Sequence, residues 1–204
     1  GRPEDDEAAG LFDILYNKVF LDPILRGTWP LAGLYDPESA EEGDLAIMHQ
    51  PIDFFGLNHY NPQGISAAPE GAELPFEIVN VPAEKHNDFG WPIVPAGFTE
   101  LLVGLKEEYG DDLPPIYITE NGGAFNETPD PDGRVRDERR IDYTHDHLLA
   151  IKEAMDAGVD VRGYFHWSLM DNFEWAEGFT QRFGLIFTDY ETQERIPKDS
   201  FAWY

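Results

Sequence analysis

Pro114-Pro115-Ile116-Tyr117-Ile118-Thr119-Glu120-Asn121-Gly122 is an apolar run that ends abruptly on a carboxylate followed by a turn. It predicts a buried strand that delivers Glu120 to a rim. Parallel barrels keep their chemistry at the C-terminal ends of their strands, so Glu120 is a candidate catalytic carboxylate. The same residues also allow a plain strand, Asn-Gly turn and solvated glutamate.

Working outward, Phe98, Leu101, Leu102, Leu105 and Tyr109 share one face of a helix that precedes this strand and is closed by Gly110. After the strand, Asp130-Pro131-Asp132-Gly133 marks a turn, and the mixed-charge run over residues 125–140 is expected to face solvent. A second helix is expected over 141–157, with Leu148, Ile151 and Met155 on its buried face and Gly158 as its stop. A second strand, 161–170, is nearly all apolar or aromatic, and 52–60 has the same character, turning polar at Asn58-His59-Tyr60. By period two, Asn58 and Tyr60 share a side.

Residues 5–20 predict an acidic-fronted helix broken at Leu21-Asp22-Pro23, and 27–50 a loop-rich connection with turn signals at Thr28-Trp29-Pro30 and Asp36-Pro37-Glu38 and one short helix. The Pro- and Gly-rich stretch up to about Ala83 reads as a surface excursion. Near the end, 183–189 is short and extended, and Pro197 is expected to open a last helix. Helix and strand alternate with connections long enough for crossovers, which argues for an α/β fold with a parallel sheet. A doubly wound nucleotide-binding sheet also fits that alternation. It is the weaker branch, because no strand is followed by G-x-G-x-x-G or a Walker loop.

The 204 residues, 42% apolar and 14% aromatic, suffice for a core and are most simply one domain. Forty acidic against fourteen basic side chains give a net charge of −26, which repels phosphate backbones and anionic lipid, so neither nucleic acid nor a membrane is an expected partner. With no cysteine there is no disulfide and no thiolate metal site. No apolar stretch reaches the ~20 residues of a membrane span, so a soluble protein, cytoplasmic by default, is expected. Asn126-Glu127-Thr128 matches a glycosylation sequon of the kind that arises by chance.

Metal chemistry is disfavoured. His145 and His147 on one helix point about 200° apart, and His49, His59, His86 and His166 stand singly. In the segment 130–137, Gly133 falls at the fourth position where a calcium loop needs its glycine sixth. No cofactor is expected. Two predicted strand ends instead carry carboxylates among aromatic rings: Glu120, and Asp171-Asn172-Phe173-Glu174-Trp175-Ala176-Glu177-Gly178. Sugars present both polar edges and apolar C–H faces, so a cleft lined by Trp91, Trp167, Trp175, Tyr60 and Phe183 would suit them. Core packing is the equally simple reading for any one of these rings.

Ile118-Thr119-Glu120-Asn121-Gly122, Gly56-Leu57-Asn58-His59-Tyr60, and Trp167-Ser168-Leu169-Met170-Asp171-Asn172-Phe173-Glu174-Trp175 followed by Arg182-Phe183-Gly184-Leu185 resemble the family 1 glycoside hydrolases of β-glucosidase type. The resemblance runs end to end but covers only the family's C-terminal half. It implies a (β/α)8 TIM barrel of which this chain holds about strands 6 to 8 with their helices. By resemblance Glu120 is the nucleophile and Tyr60 orients it. Asn58, Trp91, Trp167, Glu174, Trp175 and Phe183 bind substrate, a terminal β-glucoside or related carbohydrate. Glu174 favours an unphosphorylated sugar, and His59 replaces a common Tyr. The family's acid/base glutamate lies in an Asn-Glu-Pro stretch that these residues lack, which implies weak activity alone and completion by an N-terminal half-barrel. The alternative is a non-catalytic half-barrel that self-associates or pairs with a complementary chain.

Overall fold

The computed structural model describes residues 1–30 and 40–204, so the expected turn at Asp36-Pro37-Glu38 lies outside the described residues. In chain order the helices and strands are α1 (Pro3–Asp13), α2 (Val19–Leu25), α3 (Asp44–Met48), β1 (Phe55–Asn58), β2 (Gly64–Ala67), β3 (Phe76–Val79) and α4 (Pro95–Tyr109). They continue as β4 (Ile116–Asn121), α5 (Glu138–Asp156), β5 (Val161–His166), β6 (Ile186–Thr188), β7 (Arg195–Pro197) and α6 (Asp199–Trp203). The chain forms two compact units: Gly1–Asp53 with Gln63–Val81 and Glu108–Pro114, and Phe54–Pro62 with Pro82–Glu107 and Pro115–Tyr204.

In the first unit, α1 starts with Pro3 and places Glu4, Asp5 and Asp6 in its first turn, where they complement the positive end of the helix dipole. A π turn at Ile14–Lys18 joins it to α2. The expected break at Leu21-Asp22-Pro23 is corrected: Pro23 lies inside α2, which ends at Leu25. The missing N–H falls so near the helix end that it removes one terminal bond and the helix simply stops after it. The short helix expected within 27–50 is α3. The expected surface excursion contains an antiparallel hairpin, β2 with β3, which pairs Ile65 with Ile78. Its Ala67 N–H donates to Asp5 Oδ1 at 3.1 Å, and buried Phe76 meets the ring of Phe12 edge-on at 5.4 Å. Strands of four residues are too short for their alternation to stand out in so Pro- and Gly-rich a stretch.

The second unit is built on a parallel sheet of order β1-β4-β5. Helix α4 lies between β1 and β4 in the chain, and α5 between β4 and β5. Such parallel neighbours need crossovers of this length. The central strand β4 contributes Ile116 and Ile118, each no more than 1% exposed, to a core shared with Phe98 and Leu102 of α4 and Ala150, Ile151 and Ala154 of α5. Gly110, with φ of +55°, follows α4 as the sequence requires.

Three expectations are corrected in this unit. The buried face of α5 runs through Arg140, Tyr143, Thr144, His147, Ala150, Ile151 and Ala154, while Met155 is exposed. Asp137 and Arg140, in the charged run expected to face solvent, are fully buried. Pro197 ends β7, and the last helix begins at Asp199; a fixed φ near −65° suits an edge strand as well as a helix start. Strand β6 pairs antiparallel with β7. Among the described residues no helix is long and apolar enough to cross a membrane.

Candidate functional site

Strand β4 carries one more residue than its neighbours at its C-terminal end. Leu57 pairs with Ile118 but Asn58 pairs with Glu120, and on the other side Ile118 pairs with Tyr164 but Asn121 with His166. A bulge of this kind bends a strand and re-aims its side chains. Here it brings Glu120 to Tyr60, just beyond β1, whose phenol donates to Glu120 Oε2 at 2.7 Å. Burial raises the Tyr60 pKa well above that of a free phenol, and the hydrogen bond to Glu120 and the charges of Glu120 and Glu174 raise it further. The phenol therefore stays protonated and remains a donor, and the carboxylate is held as the acceptor.

Around this pair stands a recess of aromatic rings. Trp91 lies edge-on to Tyr60 with centroids 5.4 Å apart, and Phe183 edge-on at 6.2 Å. Phe89 stacks on Trp91 at 4.3 Å. The local sequence explains the pose of Trp91: Asn87 Oδ1 accepts the N–H groups of both Phe89 and Trp91 at 3.0 Å, an Asn-centred turn that fixes the loop. Phe183 is only 2% exposed, so it is a wall more than a contact surface.

The other expected site residues are placed less uniformly. Trp167 follows β5 and donates its N–H to Asn121 O at 2.9 Å, which ties it to the strand bearing Glu120. Asn58 is exposed, and its Oδ1 accepts from Thr119 Oγ1 at 2.6 Å. Glu174 closes a tight loop, its N–H donating to Gly178 O at 2.6 Å, and its charge is felt at Tyr60. Trp175 is 82% exposed, with φ of +38° and no ring contact among the described residues. A depression of ≈540 Å3 lined by Trp167, Phe173, Phe179, Tyr190 and Arg195 among others adjoins the site without including Glu120 or Tyr60.

Several residues that shape the site were missed in the sequence. Arg140 uses its whole guanidinium: Nε donates to Asp137, one terminal nitrogen to Gly123 O and Phe183 O, the other to Phe125 O and Arg182 O, all at 2.7 to 3.0 Å. It thereby clamps the loop after β4 to the segment bearing Phe183. Asp171, also buried, accepts from Arg182 at 2.7 Å, from Lys198 Nζ at 3.0 Å and from Gly184 N at 2.9 Å. Burial and then the Arg140 charge lower the Lys198 pKa, Asp171 opposes both, and the balance lies at about 8. Within their charged run Asp137 and Arg140 look like any solvated surface, and Asp171, read as one of the strand-end carboxylates, gives no local sign of the cations that pair with it. Only their buried partners distinguish them, backbone carbonyls for Arg140 and the Gly184 N–H with two cations for Asp171, and those are invisible in one dimension.

Arg136 pairs with Asp130 and with Asp132, so the carboxylates of the Asp130-to-Gly133 turn are engaged by a cation. The amide of the sequon residue Asn126 is engaged at both ends, by Arg182 N at 2.9 Å and Gln181 at 3.3 Å. His59 is a core residue, stacked on Phe98 at 4.3 Å with its Nε2 unpartnered among the described residues. Among the described residues, no group of three or more His, Cys, Asp or Glu could hold a metal ion.

Set beside known proteins, residues 1–204 match the family described as Glycosyl hydrolase family 1. The chain is 43% identical over 210 residues to a 1,4-β-D-glucan glucohydrolase of Thermotoga neapolitana, with 100% of this chain and 46% of that protein covered. It is 42% identical over 224 residues to a bifunctional β-D-glucosidase/β-D-fucosidase of Bifidobacterium breve, covering 98% and 48%. In structure it is similar to the psychrophilic β-glucosidase BglU from Micrococcus antarcticus, with a TM-score of 0.90, 41% identity, and 100% of this chain and 48% of that one covered. It is also similar to a β-glucosidase from Thermotoga maritima in complex with glucoimidazole, with a TM-score of 0.88, 42% identity, and 100% and 46% covered. The chain thus spans about half the length of the curated relatives it matches.

Proposed function

The chain belongs to glycosyl hydrolase family 1, and from that premise we propose that its 204 residues are the C-terminal part of one (β/α)8 catalytic domain of a retaining β-glucosidase. On this reading β1, β4 and β5 are barrel strands six, seven and eight. Glu120 attacks the anomeric carbon, forming a glycosyl ester as the bond to the leaving oxygen breaks. Tyr60 orients it. Trp91 contacts the leaving group, Trp167 and Phe183 line the sugar, and Asn58, Glu174 and Trp175 hold its hydroxyls once the substrate is bound. The glucosidase names of the matched relatives support a terminal β-D-glucoside as substrate. The observation that carries the reading is the 2.7 Å bond between Tyr60 and Glu120 at the ends of parallel strands, inside an aromatic recess.

A retaining mechanism needs a second carboxyl about 5 to 5.5 Å from the first, as acid and then base. No Asn-Glu-Pro occurs in these residues, and the Asn126-Glu127 pair is followed by Thr. The acid is supplied by chain outside them, in a complementary half-barrel, and without it the rate falls by ~10² to 10⁴. p-Nitrophenyl and 2,4-dinitrophenyl β-D-glucosides test this with the 204-residue chain alone, and mixed with the unmatched portion of the Thermotoga neapolitana relative. The mixture is expected to cleave both; the lone chain should favour the dinitrophenyl glucoside, whose leaving group needs no proton. Full turnover of the p-nitrophenyl substrate by the lone chain, or an active mixture carrying Glu120→Ala, would overturn the proposal.

One observation favours a second reading, a non-catalytic half-barrel that pairs with itself. Strands β1 and β5 are both sheet edges, and Phe54, Phe165 and Leu169 beside them are exposed. Concentration-dependent size-exclusion of the lone chain decides it: a monomer at all concentrations removes this alternative.

A further inference from the structure

Asn121 is fully buried and its amide is fully used. Nδ2 donates to His59 O at 2.8 Å and to Tyr143 Oη at 3.2 Å, and Oδ1 accepts from Tyr164 Oη at 2.9 Å. Tyr143 Oη, having accepted from Asn121, donates onward to Tyr60 O at 3.2 Å. The donors therefore run one way, from Tyr164 on β5 through Asn121 on β4 and Tyr143 on α5 to the backbone of Tyr60. The Asn121 backbone oxygen also receives the N–H of Trp167, and His59 N donates to Glu120 O at 3.0 Å.

Resting on the functional reading above, we propose that Asn121, acting through Tyr143, is a positioning residue for the reaction: it fixes the backbone of Tyr60 so that the phenol meets Glu120. The physical reason is leverage. The bulge on β4 removes regular ladder bonds just where Glu120 must be aimed, and a chain of buried side-chain bonds replaces them. A phenol that approaches a carboxylate at 2.7 Å has little tolerance for a shifted backbone. Tyr143 meets Tyr60 at its backbone carbonyl and not at its phenol, so its effect on the bond between Tyr60 and Glu120 is indirect.

The test uses the 204-residue chain with 3-fluorotyrosine placed at position 60, read by ¹⁹F resonance. Glu120→Gln should move the resonance, which calibrates the pair. Tyr143→Phe, a deletion of one oxygen, should move it in the same direction, and Asn121→Ala further. If Tyr143→Phe folds with unchanged circular dichroism and leaves the resonance where it was, or if Glu120→Gln does not move it, the proposal falls. A second arm uses the complemented enzyme and capture of Glu120 by 2,4-dinitrophenyl 2-deoxy-2-fluoro-β-D-glucoside. Tyr143→Phe should slow the capture step about tenfold, the scale of one hydrogen bond, with the inhibitor's affinity unchanged; an equal loss in both would mark a merely structural role and overturn the proposal. Failure of the unsubstituted chain to be captured would count against the glycosidase reading, while the ¹⁹F arm still decides the positioning.

Discussion

Tyr60 and Glu120 are sixty residues apart in the chain and 2.7 Å apart in space, joined by a bond that neither strand's ladder makes. A hydrogen bond to a charged group contributes about 1.5 to 3 kcal/mol. Tyr60→Phe in the complemented enzyme should therefore lower kcat/KM for p-nitrophenyl β-glucoside by roughly ten- to a hundredfold. An unchanged rate would show that Tyr60 is only a wall.

Gly122 tests how tightly the strand end is packed. A Cβ there would sit 2.0 Å from the carbonyl oxygen of Trp167, a backbone atom that cannot swing aside. Gly122→Ala should cost about 2 to 4 kcal/mol, read as a lower urea midpoint. Gly104, in α4, has nothing within 4 Å of its would-be Cβ. Gly104→Ala is the matched control and should stabilise by about 0.5 to 1 kcal/mol, because it restricts the unfolded chain and suits a helix interior.

Arg140 is expected to be intolerant of every substitution, including lysine. Four backbone carbonyls and Asp137 depend on one planar fork, which an ammonium cannot reproduce. Arg140→Met would leave Asp137 buried without its ion partner and should destabilise by about 3 to 5 kcal/mol. Chemical denaturation monitored by tryptophan fluorescence measures this; a loss below a kilocalorie would contradict the clamp.

Acid should loosen the second unit through its buried histidines. Burial lowers the pKa of His59 and His147 to about 4 and that of His166 to about 3, from the ordinary 6.5. Well above pH 6.5 all three are neutral in both states and contribute nothing to the pH dependence. As pH falls from 6.5 towards 4 the unfolded chain takes up protons that the folded chain refuses, so stability declines by up to about 1.4 kcal/mol per group per pH unit. Urea unfolding between pH 7 and pH 4 checks the slope. His147→Gln should flatten it; a slope unchanged by that substitution would mean that His147 carries no part of it.

The candidate carboxylate and the alternation of helix and strand were legible, because they rest on local signals: an apolar run stopped by Glu-Asn-Gly, and helices with one apolar stripe and a terminal glycine. What was not legible depends on partners distant in sequence. Arg140 and Asp137 read as solvated because charge is normally exposed, yet the carbonyls of residues 123, 125, 182 and 183 converge on the guanidinium. Met155 fits a helical stripe as well as Ala154 does, and the packing of α5 chose the smaller residue. The hairpin β2 and β3 escaped notice because its strands are four residues long. The pose of Trp175 has no local signature, since a positive φ at a tryptophan is not something composition forecasts.

The extra residue on β4 carries a consequence for how this site can vary. Side chains along a strand alternate between faces, so what aims Glu120 is whether the count of residues from Ile118 to Asn121 is odd or even. Replacing Thr119 by Ser leaves that parity and the hydroxyl bonded to Asn58 intact and should be tolerated. Deleting it would keep every named site residue in the polypeptide and still turn the carboxylate away from the phenol. In this stretch, length is under stricter control than spelling.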